Sequence, residues 1–102
     1  MGLTKMLIEL RFQELKRDAA DLEQIAKKIQ NIAGRDMAGE LQTVSQGWKG
    51  DNSRKFMQVG TQVAGEVNDT GKAVEKTAVV IRQIAQTTYD AEMKALSIIG
   101  LG

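Results

Sequence analysis

Two runs of regularly spaced apolar residues, separated by one break, most constrain how this chain can fold. In the first half, apolar residues recur at alternating steps of four and three, which is the spacing of one face of a long α-helix that packs against another helix. The sequence contains no proline, the residue that most strongly interrupts a helix. The pattern therefore predicts long, uninterrupted helices. The first stripe contains Ile8, Phe12, Leu15, Ala19, Leu22, Ala26, Ile29 and Ala33 and continues to Met37, Leu41, Val44 and Trp48.

The spacing of this first stripe changes near its middle. From Ala33 to Leu41 the step is four residues twice, so the apolar face drifts around the helix as it does at a coiled-coil stutter. Gly34 and Gly39 fall in this interval, and glycine weakens a helix interior. We therefore expect one helix over about residues 4–46, with a weak point near Gly34.

The break between the stripes has the sequence GWKGDNS and contains the only tryptophan of the chain. Two glycines followed by Asp, Asn and Ser are typical of a helix that stops and a second helix that starts. Asn52 or Ser53 is the expected N-cap of the second helix. The break therefore predicts a turn over residues 47–52 and a second helix over about residues 53–98.

The second half repeats the four-three spacing, through Phe56, Gly60, Val63, Val67, Thr70, Val74, Thr77, Ile81, Ile84, Thr88, Ala91, Ala95 and Ile98. A short connection between two long helices makes them antiparallel. Two paired helices have no enclosed hydrophobic core and bury only one stripe of each helix. The hairpin alone is therefore marginally stable. We therefore expect a single all-α domain over residues 1–102, an antiparallel helix-turn-helix hairpin that dimerises into a four-helix bundle. The expected hairpin and dimer core is Phe12, Leu15, Leu22, Ile29, Phe56, Val63, Val67, Val74, Ile81 and Ile84.

Composition argues against most kinds of chemistry. The sequence has no cysteine and no histidine, which removes thiolate nucleophiles, the commonest general base and the commonest metal ligands. Asp18 and Asp21 lie beside Lys16 and Arg17 and are interpreted as a solvated, ion-paired face. We predict no enzyme activity, no catalytic residue, no metal and no cofactor.

Charge and hydropathy narrow the choice of partners. Lys and Arg number 14, Asp and Glu 13, and the net charge is +1 without a basic block, so we expect no nucleic-acid partner. The apolar stretches are too short to cross a bilayer, so we expect no stable membrane insertion. The first residues lack the continuous apolar segment of a secretory signal peptide.

The turn itself carries a family resemblance. Trp48-Lys49-Gly50, placed between two heptad-patterned helices in a chain of 102 residues, resembles the motif of the WXG family, the small ESAT-like proteins of type VII secretion. Phe56, one helical turn into the second helix, is similar to the aromatic residue that follows the turn in that family. The resemblance covers the whole chain in length and architecture.

The resemblance implies a partner, a route and a site. It implies that the hairpin forms a homodimer, or a heterodimer with a related WXG-type protein. It implies a cytoplasmic stage, recognition by a type VII secretion ATPase, and export to the cell surface or medium without a cleaved signal peptide. By the same resemblance, Trp48 and Gly50 lie beside the C-terminal segment of the partner chain, and the turn and that C-terminal motif, which involves Tyr89 and Glu92, form a composite secretion signal.

One feature departs from the family pattern and leaves alternatives open. Family members carry Tyr, three residues, then Asp or Glu, whereas here Met93 is four positions after Tyr89 and the nearest acids are Asp90 and Glu92. The alternative function is an intracellular helical adaptor or chaperone for a larger type VII substrate. A third interpretation, a needle-like polymer subunit built from short hairpins, is disfavoured by the two glycines around Trp48. Without the resemblance, Tyr89 is interpreted as a surface residue near a helix end.

Overall fold

The protein is all-α in the computed structural model, which describes residues 2–100 of the chain; Met1, Leu101 and Gly102 lie outside the described residues. Helix α1 spans Gly2–Asn31, a π-helical turn spans Ile32–Met37, α2 spans Ala38–Gly47 and α3 spans Asp51–Ile98. Residues 48–50 connect α2 to α3, and no strand occurs within residues 2–100. The predicted all-α helical hairpin is confirmed.

The first arm of the hairpin consists of α1, the π-helical turn and α2, and the second arm is α3. The first arm remains helical through its predicted weak point near Gly34. Asn31 and Ala38, which flank the π-helical turn, both have right-handed helical backbone angles. The irregularity therefore widens the helix over Ile32–Met37 instead of breaking it at Gly34. Because i→i+5 hydrogen bonds place more residues in each turn, two successive steps of four keep Ala33, Met37 and Leu41 on one face.

The chain divides into two units, and each contains a stretch of both arms. The terminal unit is the described part of Met1–Glu23 and Lys76–Gly102, and the turn unit is Gln24–Glu75. In the terminal unit, Phe12 contacts Tyr89 and Glu23 contacts Arg82. Residue 12 of α1 therefore pairs with residue 89 of α3, and residue 23 pairs with residue 82. Since the numbers rise along α1 and fall along α3, the two segments are antiparallel.

The turn unit pairs its arms in the same sense. Gln30 donates a hydrogen bond to Glu75 at 3.1 Å, and Leu41 packs over Gly60. The close approach at Gly60 depends on glycine, since a Cβ there would lie 2.3 Å from Leu41 Cδ2. Gly71 is closer still to the opposite backbone, with a Cβ position 3.2 Å from the carbonyl oxygen of Ala26.

Small side chains dominate the buried positions of both units. The terminal unit buries Ile8, Ala19, Ala78, Ala85 and Leu96, and the turn unit buries Ala26, Ala33, Ser53 and Gly71. On the first arm these residues belong to the predicted stripe, whose other members from Phe12 to Leu41 are half-buried. The first stripe is therefore the face that packs inside the hairpin.

The predicted stripe of α3 is wrong at alternate positions from Phe56 to Ile84, and at all of its last members, which are exposed: Thr88, Ala91, Ala95 and Ile98. Thr70 and Thr77 are exposed, whereas their neighbours Gly71 and Ala78 are buried, and Ala85 is buried beside an exposed Ile84. The physical reason is close packing: alanine and glycine let two helix backbones approach, and the bulkier neighbour is left on the flank. Other predicted members, namely Gly60, Val67, Val74 and Ile81, are half-buried as the spacing predicts.

Candidate functional site

The turn unit presents the candidate site at the connection between α2 and α3. Helix α2 ends at Gly47, and Trp48 follows in an extended conformation with φ −136° and ψ 125°. Gly50 has φ +106°, a backbone conformation that glycine adopts at low cost and other residues rarely adopt. The chain therefore reverses within three residues, and Gly50 makes the reversal possible.

A buried hydroxyl group fixes this reversal. Ser53 Oγ donates a hydrogen bond to the carbonyl oxygen of Trp48 at 2.7 Å, and Ser53 is 6% exposed. The Arg54 N–H donates to the carbonyl oxygen of Gly50 at 3.1 Å. The N-cap prediction of Asn52 or Ser53 is therefore wrong: α3 begins at Asp51, and the serine hydroxyl closes the turn.

The first turn of α3 also resolves an electrostatic conflict in the sequence. Arg54 lies near the helix N-terminus, where the helix dipole disfavours a cation. Its guanidinium donates a hydrogen bond to Asp51 Oδ1 at 2.5 Å, and Asp51 is the first residue of the helix. The carboxylate therefore offsets the unfavourable charge at this end.

The ring of Trp48 packs against that of Phe56 and is not enclosed. The ring centroids are 5.6 Å apart, with the planes tilted by 57°, a geometry that aromatic pairs favour. Trp48 is 43% exposed and Phe56 is 44% exposed. The turn therefore displays two aromatic rings that hold each other in place and still face solvent.

An open apolar groove adjoins this aromatic pair. It has a volume of about 350 Å³ and is lined mainly by Met37, Leu41, Val44, Phe56, Val59 and Val63. Phe56 belongs to both features, so the rings and the groove form one continuous apolar surface. Within the turn unit, this surface includes Val63, one of the residues predicted for the core.

Tyr89 and Glu92 are in the terminal unit and both contact α1. The Tyr89 ring stacks on Phe12 at 4.4 Å between centroids and 25° between planes. Glu92 Oε2 accepts a hydrogen bond from Arg11 at 2.6 Å, and the Lys16 ammonium lies 5.0 Å from the Phe12 ring centroid. The structure thus brings the two predicted signal residues to one surface of the hairpin, where Tyr89 is half-buried.

The predicted core residues fall into two groups. The first group is half-buried: Phe12, Leu15, Leu22, Ile29, Val67, Val74 and Ile81. Phe56, Val63 and Ile84 are 44%, 41% and 55% exposed. The second group does not pack inside the hairpin, and a role for it in the dimer core stays a prediction.

Sequence reasoning missed the cross-arm ion pair between Glu23 and Arg82. Arg82 Nε donates a hydrogen bond to Glu23 Oε1 at 2.6 Å, and this bond raises the pKa of the Arg82 guanidinium. Opposite charges occur at many positions of both arms, so the pairing depends on the register. A stripe through Gly71, Ala78 and Ala85, which are buried, would have indicated that register.

The described residues offer no arrangement typical of metal chemistry or membrane spanning. Among residues 2–100, no group of three or more Asp or Glu side chains is placed to hold a metal ion. In the same part of the chain, no helix has the length and hydropathy needed to cross a bilayer.

The structure is a small all-α hairpin whose two arms are joined by a Trp-x-Gly turn, and it belongs to the class of small helical-hairpin proteins. The family model WXG100, proteins of 100 residues with WXG, matches residues 7–93. The chain therefore belongs to the WXG100 family, and the predicted family resemblance is confirmed. No curated protein and no solved structure matches the chain significantly.

Membership gives the chain a functional setting. The family consists of small, helical, non-enzymatic proteins associated with secretion, whose members typically dimerise and work with type VII machinery. This protein is accordingly a small type VII-associated protein.

Proposed function

We propose that this protein is a non-enzymatic WXG protein exported by a type VII secretion system and recognised through its Trp48-Lys49-Gly50 turn. The observation that carries the proposal is that Trp48 is fixed and exposed at once. Ser53 holds its carbonyl oxygen, Phe56 supports its ring, and 43% of the residue remains exposed. Large aromatic residues that need no rearrangement are the usual energetic centres of binding surfaces.

The proposed form of the protein in solution is a homodimer that makes a four-helix bundle. The hairpin buries mainly alanines, and no large side chain within residues 2–100 is fully buried. Apolar burial stabilises a fold roughly in proportion to its area, at about 25 cal/mol per Å², so this core contributes little. Phe56, Val63 and Ile84 remain exposed and are the proposed additions to the core on dimerisation. A heterodimer with a related WXG-type chain is the alternative.

The proposed partner for export is the type VII secretion ATPase, with the protein cytoplasmic before export and then secreted or at the cell surface. No cleaved signal peptide is part of the proposal. The ATPase would recognise Trp48 and Gly50 together with Tyr89 and Glu92. The second pair is held in fixed positions, since Phe12 stacks on Tyr89 and Arg11 holds Glu92.

Export from a host with and without the secretion ATPase tests this function. The protein is expressed at equal cytoplasmic amounts in both strains, and the medium is assayed for it and for a cytoplasmic marker that reports lysis. We expect the protein in the medium only when the ATPase is present. Equal release from both strains without the marker would contradict the proposal.

A second function, an intracellular adaptor for a larger type VII substrate, is favoured by the Tyr89 region. Tyr89 is half-buried on Phe12, and Glu92 is already bonded to Arg11, so neither is free for a new partner without losing a contact. The groove beside Phe56 would then bind a helix of the substrate. Co-expression with the neighbouring gene product distinguishes the two functions: the adaptor requires a stable complex, and an unaffected homodimer measured by light scattering argues against it.

A further inference from the structure

The apolar stripe of the first arm contains one residue too many. Steps of four and three alternate from Ile8 to Ala33, and they alternate again from Met37 to Trp48. Between Ala33 and Met37 the step is four where the alternation requires three. Removing one residue from this interval would restore an unbroken heptad pattern from Ile8 to Trp48.

The structure places its one described π-helical turn over the same interval. Ile32–Met37 is π-helical, and the flanking segments of residues 2–31 and 38–47 are α-helical. A single π-helical turn accommodates an added residue within an α-helix, because its hydrogen bonds run from i to i+5. The sequence pattern and the backbone therefore locate the same surplus residue.

The packing beyond the π-helical turn shows what this accommodation preserves. Ala33 is buried, Met37 and Leu41 are half-buried on the same face, and Leu41 lies over Gly60. Further along, Trp48 contacts Phe56 and accepts the Ser53 hydrogen bond. An extra residue in a regular α-helix would rotate all these side chains by about 100° and shift them by about 1.5 Å.

We infer that the π-helical turn Ile32–Met37 is a positioning element that absorbs one surplus residue and so seats Leu41 over Gly60 and Trp48 on Phe56. It acts on the recognition turn through helix register. Gly34 and Gly39 are not required there by packing, since nothing lies within 4 Å of a Cβ at either position. The inference concerns the folded chain and stands apart from export; only its consequence for secretion rests on the proposed function.

Two single-residue deletions test this inference. Asp36 is exposed within the π-helical turn, and Gln42 is exposed in α2 between Leu41 and Trp48. Deleting Asp36 should convert the π-helical turn to α-helix and leave Trp48 on Phe56. Deleting Gln42 should rotate Trp48 away from Phe56. Trp48 is the only tryptophan, so its emission maximum and its quenching by acrylamide report this contact directly.

The two deletions are expected to affect the Trp48 contact in opposite ways. We expect the Asp36 deletion to keep the wild-type emission, quenching and melting temperature, or to raise the melting temperature. The Gln42 deletion should give red-shifted, more quenchable emission or an unfolded chain. The inference is overturned if the Asp36 deletion perturbs Trp48 or unfolds the chain, and equally if both deletions behave like wild type.

An export assay of the same deletions separates this inference from the proposed function. The Asp36 deletion should be exported at the wild-type level and the Gln42 deletion should be lost from the medium. If wild type itself is not exported while the fluorescence results hold, the proposed function fails and the positioning role stands. If wild type is exported but the Asp36 deletion perturbs Trp48, the positioning role fails alone.

Discussion

The two units use the same pair of arms and differ in what joins them. In the terminal unit, large side chains cross between the arms: Ile8 and Leu96 are buried, and Phe12 stacks on Tyr89. In the turn unit, every buried residue is small, and the bulky residues Phe56 and Val63 remain exposed. Both units nevertheless leave large apolar side chains on the surface, among them Leu7, Leu10 and Ile84 in the terminal unit.

The units differ in how their arms are joined, and both leave apolar surface for another chain. In the terminal unit, the large side chains of Phe12 and Tyr89 hold the unit's own arms together. In the turn unit, Leu41 packs over Gly60 and the arms approach closely at Gly71, while Phe56 and Val63 remain exposed for contact with another chain. The turn unit also contains Trp48, so the surface proposed for recognition lies in the unit whose arms approach each other at glycines.

The largest expected effect on stability tests the terminal unit. Phe12→Ala removes the ring that stacks on Tyr89 and contacts Lys16. Phe to Ala costs about 3–5 kcal/mol at a fully buried site; because Phe12 is half-buried, we expect a loss of about 2–3 kcal/mol in the free energy of unfolding. Urea unfolding at fixed protein concentration measures it, since the stability of a dimer, the proposed form of this protein, depends on concentration.

Tyr89→Phe is the matched control for that change. It keeps the stacked ring and removes only the hydroxyl group, so we expect the free energy of unfolding to change by less than about 0.5 kcal/mol. Equal losses in Phe12→Ala and Tyr89→Phe would show that the stacked pair does not hold the terminal unit.

A glycine substitution tests the turn unit in the same way. Gly71→Ala places a methyl group 2.7 Å from Gln30 Cγ and 3.2 Å from the Ala26 carbonyl oxygen. Overpacking of this kind costs about 1–3 kcal/mol, and we expect a loss of about 1–2 kcal/mol after the gain in helix propensity. Thermal unfolding followed by circular dichroism provides the measurement.

Gly65→Ala is the matched control on the same helix. Nothing lies within 4 Å of a Cβ at Gly65, so the substitution should stabilise the protein by up to about 1 kcal/mol through helix propensity. If Gly71→Ala also stabilises the protein, the close approach of the arms in the turn unit is not required for its packing.

The smallest effect concerns the ion pair beside Tyr89. In a double-mutant cycle of Arg11→Met and Glu92→Gln, we expect a coupling energy of about 0.2–1 kcal/mol, typical of exposed pairs. Since salt screens such pairs, the coupling should fall at high ionic strength. A coupling that is large and insensitive to salt would mean that the pair, and not the aromatic stack, joins the arms of the terminal unit.

The sequence predicts the first arm more closely than the second. From Ile8 to Ala33, only one face carries apolar residues at the four-three spacing, so the packed face is unambiguous. On α3, two adjacent lines of residues satisfy the spacing. One line passes through Thr70 and the other through Gly71. Periodicity alone does not indicate which of the two residues is buried. The smaller residue is buried because the other helix lies close to it.

The candidate site was predictable in position and less so in detail. Trp48 and Gly50 are evident from the break between the stripes. The role of Ser53 was not, because a serine at a helix start can cap the helix or, as here, bond back to a preceding carbonyl oxygen. The stacking of Tyr89 on Phe12 depends on the register of the two arms, which neither residue's own neighbourhood specifies.

Export of Trp48→Ala tests the central claim, that the tryptophan is displayed for recognition more than it is needed for folding. Trp48 is 43% exposed, and its carbonyl oxygen is held by Ser53 whatever the side chain is. We predict a variant that keeps the helicity and solution mass of wild type but is lost from the medium of a type VII-competent host. A Trp48→Ala protein that is exported at the wild-type level, or that unfolds, would contradict the account.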